Sequence, residues 1–131
     1  MIGTFVTTLN SQVLTTTLAP VPNALGPFVP AGATMIVNAE GDVSLTGSSS
    51  NQAVVEARLF VDGSLVRFIR TWAMNSSFLT GMIASWHLTF VGTFATDKTR
   101  DVHVEMRIVY VTGAAPTANA VPGHLSVVLL K

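Results

Sequence analysis

The chain has no cysteine among its 131 residues. That excludes a disulfide framework, a thiolate-bound zinc and a thiol nucleophile. Charge is nearly as scarce: seven basic and seven acidic residues make up 11% of the sequence and cancel, where about 25% is ordinary. The first basic residue is Arg58, so only Glu40, Asp42 and Glu56 are charged before it. A nucleic-acid partner would call for a basic patch, and none is visible. A polybasic membrane surface is equally unsupported. The longest near-apolar stretch, around Phe78 to Phe94, is broken by Thr80, Gly81, Ser85, His87 and Thr89, so no membrane insertion is expected. Met1 to Val6 carries no positive charge and no apolar run follows, so no signal peptide is expected. A Gly-rich phosphate loop and an Asp-x-Asp-x-Asp-Gly calcium loop are missing. So is a Gly-x-Ser-x-Gly elbow, despite the hydroxyls of Ser48 to Ser50. No cofactor is expected.

What remains is apolar (49%) and small. A chain of this length forms one domain, with roughly 6,600 Å² of surface when folded. Fourteen charged side chains cannot cover it, and large exposed apolar areas mark interfaces. Self-association is therefore the first inference, and zero net charge suits life inside an assembly.

Period-two alternation dominates the pattern, as half-buried strands require. From Val102 to Tyr110 the even positions are apolar, and the odd ones hold His103, Glu105 and Arg107. Val55 to Val61 alternates with odd positions inward, and Asp62-Gly63 then predicts a tight hairpin into a return strand through Arg70. Weaker strands are expected at Thr34 to Asn38 and Asp42 to Thr46, joined by a turn at Glu40-Gly41-Asp42. Trp86 to Phe90 forms another, with Trp86, Leu88 and Phe90 on one face. The closing strand, Leu125 to Leu130, places Val128 and Leu130 opposite Leu125, Val127 and Leu129. A strand apolar on both faces needs cover on both. Thr4 to Leu9 and Gln12 to Leu18 read as edge strands, and residues 1–30 as edge strands or an N-terminal arm. Ala19 to Pro30 reads as a proline-rich connector, Ala73 to Ser77 as a polar turn, Thr96 to Asp101 as a solvated turn and Gly113 to Gly123 as a small-residue loop. Leu79 to Ala84 has room for one helical turn. About eight short strands predict a single-domain antiparallel β-sandwich.

The segments Ala33 to Asp42, Val55 to Gly63, Trp86 to Phe90, Val102 to Val111 and His124 to Leu130 follow one another in an order that resembles compact jelly-roll modules. These are the tumour-necrosis-factor and C1q-like trimers and the related head domains of phage tail proteins. The resemblance covers roughly residues 30–131. It implies a non-catalytic homotrimer with a structural or receptor-binding role, of phage or other viral origin, in a virion or extracellular setting. The 131 residues contain no collagen-like Gly-X-Y repeat, and no receptor-site residue is carried over.

Candidate sites follow from strand parity. His103, Glu105 and Arg107 share a face, with same-face neighbours about 7 Å apart. They form either an acid–base or ligand-binding patch, or a solvated face paired with Glu56 and Arg58 across strands. His87 has the same polar parity in its own strand. His87, His103 and His124 would bind a metal only by converging within about 2.1 Å of one ion. Asp97 and Asp101 are poor calcium candidates beside Lys98 and Arg100. Phe60 and Phe68 flank the Asp62-Gly63 turn and are expected to face each other as interface anchors, with Val128 and Leu130 as further interface residues. Asn75-Ser76-Ser77 fits a glycosylation sequon. Two rival functions stay open: a lectin-like module stacking a glycan on Trp72, Trp86, Phe60 or Phe68, and a small β-barrel enzyme using His103 and Glu105.

Overall fold

The computed structural model describes residues 2–46, 51–75, 83–112 and 117–131. The strands are β1 (Gly3–Leu9), β2 (Gln12–Val13), β3 (Ala19–Pro20), β4 (Phe28–Val29), β5 (Thr34–Thr46), β6 (Asn51–Val61), β7 (Ser64–Asn75), β8 (Ile83–Thr93), β9 (Lys98–Thr99), β10 (Val102–Thr112) and β11 (Thr117–Leu130). The first sheet has the order β1-β11-β5-β8, with β2 also paired to β11, and the second β3-β10-β6-β7. Strands β4 and β9 form a small ribbon. Every pairing is antiparallel. Without β2 and the ribbon, eight strands remain. The first of them pairs with the last, the second with the seventh, the third with the sixth and the fourth with the fifth. That is one long hairpin rolled into two sheets, a β-sandwich of jelly-roll type.

Alternation places the core between the sheets. Met35, Val37, Ala39, Leu125, Val127 and Leu129 from the first sheet meet Val55, Ala57, Leu59, Val104 and Met106 from the second, all at 1% exposure or less. Each large side chain so buried contributes about 1.5–3 kcal/mol. Val61 pairs with Ser64 across the hairpin, where Asp62 (φ 52°) and Gly63 (φ 78°) are both left-handed, the backbone of a type I′ turn.

Several expected boundaries move. Thr34 to Thr46 is one continuous strand, and Glu40-Gly41-Asp42 is no turn: their register against β8 is unbroken from Thr34 to Ser44. Gly41 serves a close approach, because a Cβ there would meet the Trp86 indole at 2.9 Å. The return strand continues into the segment read as a polar turn as far as Asn75, and Ala73 is fully buried. The closing strand begins at Thr117, within the expected small-residue loop, and its register shifts between Val121 and His124. This bulge accommodates Pro122. Gly123 lies so close to β5 that a Cβ would overlap the Glu40 carbonyl oxygen. Only Gln12–Val13 of the second Thr-rich segment is a strand. Residues 79–82 of the expected helical turn lie outside the described residues, and Ile83 and Ala84 open β8. The Ser48 to Ser50 hydroxyls also lie outside them, as do Ser76 and Ser77 of the sequon.

Substituting Gly123→Ala should lower stability in urea unfolding by ~1–3 kcal/mol, because the overlap is with backbone that cannot yield. Gly26→Ala, where the nearest atom would be 3.8 Å away, should change it by less than about 0.5 kcal/mol.

Candidate functional site

Period-two strands bury one residue set and present the other, so the sandwich has two outer faces. On the second sheet that face carries charge. Arg107, Glu56 and Arg70 stand in one cross-strand row, with Glu105, Arg58 and Phe68 in the next. Glu56 is 1% exposed although its strand position points outward. Arg58 Nε donates to its Oε1 at 2.7 Å. Arg107 Nε and Nη2 both donate to Oε2, at 3.1 and 3.0 Å. Arg70 Nη2 stands off at 3.8 Å. Burial pushes the Glu56 carboxyl up, but the hydrogen bonds and charges of Arg58 and Arg107 outweigh it and hold the group below its usual value.

His103 lies on the same face between two carboxylates: Nδ1 is 2.7 Å from Asp101 Oδ2, and Nε2 is 2.8 Å from Glu105 Oε2. Phe60 stacks on the imidazole, with centroids 5.2 Å apart and planes at 6°. Both nitrogens donate only when the ring is protonated. Burial pulls its pKa down, yet the bonds to Glu105 and Asp101 prevail and raise it. An imidazole held at both nitrogens has neither free to accept a substrate proton, which counts against His103 as a general base. Arg107 is not part of this cluster, since its guanidinium turns to Glu56.

The expected facing pair of Phe60 and Phe68 does not form. The two-residue turn pairs Phe60 with Leu65, and beyond the register shift between Leu59 and Phe60, Phe68 lies opposite Arg58. Phe60 is half-buried against His103, whereas Phe68 (57%), Trp72 (56%) and Met74 (45%) are exposed along β7.

The first sheet's outer face is different. One row runs Thr4, Val128, Ile36, Val91 and the next Val6, Ser126, Asn38, Thr89. Val6 and Val91 are exposed, as are Ile2 and Leu130 at the same end. Charge enters only further along, at Glu40, which stands between His124 and His87, and at Asp42, which accepts Ser85 Oγ at 2.6 Å. A cleft of about 500 Å³ at that end is lined by Glu40, Asp42, Trp86, His87, Pro122 and His124, among others. His87 and His124 thus share one face, and His103 is on the opposite sheet. The three histidines cannot reach one ion within a subunit. Among the described residues no group of three His, Cys, Asp or Glu is placed to hold a metal.

Strand parity anticipates Glu56 as a cross-strand partner of Arg107, and the register pairs the two; what parity does not anticipate is the burial of Glu56 to 1% exposure. The burial of Arg100 is equally unannounced. Arg100, assigned to a solvated turn, is 8% exposed. It donates to Asp62 Oδ2 at 2.7 Å and lies 4.1 Å over the Phe94 ring. The backbone N–H of Asp101 also donates to Asp62, so the β6–β7 turn is tied to the start of β10.

No protein-family profile matches the chain, and no curated protein matches it. Its fold is similar to that of the infectious bursal disease virus VP2 subviral particle, with a TM-score of 0.55 and 14% identity over 95% of this chain and 32% of that one. The Gx strain of the same virus gives a TM-score of 0.50 and 12% identity over 95% of this chain and 33% of that one. The chain therefore spans about a third of the length of these structures. Both agree with the jelly-roll architecture of the chain, and they add nothing to the narrower likeness to tumour-necrosis-factor and C1q-like trimers.

Glu56→Ala should cost ~3–5 kcal/mol in urea unfolding, because it strands arginines around a buried site. Arg70→Ala, at an exposed and longer contact, should cost less than about 1 kcal/mol. The His103 contribution is complete below pH 6.5, the ordinary value, and is lost as pH rises through the raised one. The stability gap between wild type and His103→Gln should therefore narrow as pH rises above 6.5 in a denaturation series. The Glu56 contribution has the opposite sense: it is present above pH 4.5 and lost as pH falls.

Proposed function

We propose that the protein is a non-catalytic structural module that works by associating with copies of itself, as a building block of a virus-like assembly. The observation that carries this is the first sheet's outer face. Its apolar end has uncharged side chains across four strands, exposed at Val6 on β1, Val91 on β8 and Leu130 on β11 and half-buried at Ile36 and Val128, and only another surface would shelter them fully. Val128 and Leu130 belong to this face. Phe68 belongs to the opposite one, and Phe60, half-buried beneath His103, is the weakest of the four as an anchor. The viral jelly-roll likeness supports the same reading by analogy of fold. The occupied nitrogens of His103 weigh against the enzyme alternative. A three-copy assembly and a receptor-binding role are what the sequence resemblance implies. Exposure of Phe68 and Trp72 on one face of β7, either side of Arg70, is what favours the glycan-binding alternative.

Sedimentation equilibrium should show reversible association at micromolar concentrations, and a strictly monomeric chain would defeat the proposal. Val91→Asp places a charge in the apolar row at a site 57% exposed. It should weaken association at least about tenfold, the effect of ~1.4 kcal/mol, with little change in thermal midpoint.

A further inference from the structure

The fourteen charges are not spread evenly over the sandwich. The five strands of the first sheet hold two carboxylates, Glu40 and Asp42, and no lysine or arginine. The outer face of the second sheet holds three arginines, Arg58, Arg70 and Arg107, against Glu56 and Glu105. Arg67, opposite the buried Leu59, has the inward parity and lies over the Phe90 ring. The remaining charges lie in turns, in the β4–β9 ribbon and at the C-terminus, and balance. The chain is therefore neutral in sum and polar across its thickness, with a carboxylate-bearing face opposite an arginine-bearing one.

Like faces would bring Glu40 and Asp42 against their own copies, or arginine against arginine. Unlike faces bring opposite charges together. The apolar parts match as well: Ile2, Val6, Val91 and Leu130 are exposed on one face, and Phe68, Trp72 and Met74 on the other. Arg70 is the available cation. It is 53% exposed, stands between Phe68 and Trp72 along β7, and is 3.8 Å from the Glu56 carboxylate. A face four strands wide at ~4.8 Å each and ~30 Å long covers roughly 600 Å². Two such faces bury about 1,200 Å² together, the lower limit of specific interfaces.

Resting on the self-association proposed above, we infer that the contact is heterologous: the outer face of the first sheet of one copy seats on the outer face of the second sheet of the next. Such a contact leaves one unused face of each kind, and growth continues until geometry closes it. The two faces look away from each other across the sandwich, so repetition adds copies in a row. Salt weakens the contact, because its charges lie at the surface.

The test mixes two variants, each blocked on one face at an exposed residue: Val91→Asp on the first sheet and Trp72→Asp on the second. Circular dichroism and thermal midpoints verify that both fold. Each alone should sediment as a monomer at concentrations where wild type associates. Mixed in equal amounts, they should form a heterodimer of twice the chain mass and go no further, since only one intact pair of unlike faces is available. If Trp72→Asp alone still associates, the contact joins like faces and the inference fails. It fails also if the mixture stays monomeric while wild type associates. If wild type itself never associates, the self-association reading falls first, and the inference falls with it.

Discussion

In a strand, successive side chains go to opposite sides, and in this sandwich the consequence is severe. Leu125, Val127 and Leu129 enter the core because period two puts them there, and the same period sends Ser126, Val128 and Leu130 outward. Every strand repeats this division. With so few charged residues in the chain, the outward set must be filled by hydroxyls, small residues and apolar groups. The isolated chain exposes 6526 Å², the amount expected of a compact monomer this size. The pressure to associate therefore comes from the kind of surface exposed, not from an excess of it.

The scarce charge is concentrated where it organises structure. Glu56 draws two arginines into short contact on the second sheet and approaches a third. Asp62 ties a hairpin turn to Arg100 and to the backbone of Asp101, and His103 joins Asp101 to Glu105. These clusters pin β6, β7 and β10 and the turns that connect them. The first sheet has no such network. Its outer face is held by Thr and Asn contacts such as Thr89 to Asn38 at 3.0 Å. One outer face thus carries an ion-pair network, and the other is uncharged at its apolar end with only Glu40 and Asp42 beyond it, an asymmetry on which both functional proposals draw.

The features readable in advance were those determined by neighbours in sequence. The alternation of Val55 to Val61 and of Val102 to Tyr110 and the Asp62-Gly63 turn depend on local pattern, whereas the jelly-roll type is what the family resemblance implies. What could not be read depends on register. Glu40-Gly41-Asp42 has turn chemistry, and only the indole of Trp86 lying on Gly41 reveals a continuous strand. Glu56 looks like any solvated polar residue of an alternating strand, and its burial shows only once β10 is aligned against β6. Phe60 lies two residues before the turn and Phe68 five after it, so the two-residue hairpin pairs Phe60 with Leu65 and not with Phe68. Arg100 sits among charged residues, and its burial comes from Phe94, just past β8, and from Asp62 in the β6–β7 turn.

The central claim is that the apolar outer face of the first sheet is sheltered by another copy. Covalent side-chain footprinting at concentrations above and below the association midpoint addresses that face directly. The account predicts that Val6, Val91 and Leu130 are protected at high concentration and become labelled on dilution, while Leu59 and Val127 stay unlabelled throughout. Equal labelling of Val6, Val91 and Leu130 at every concentration would contradict it.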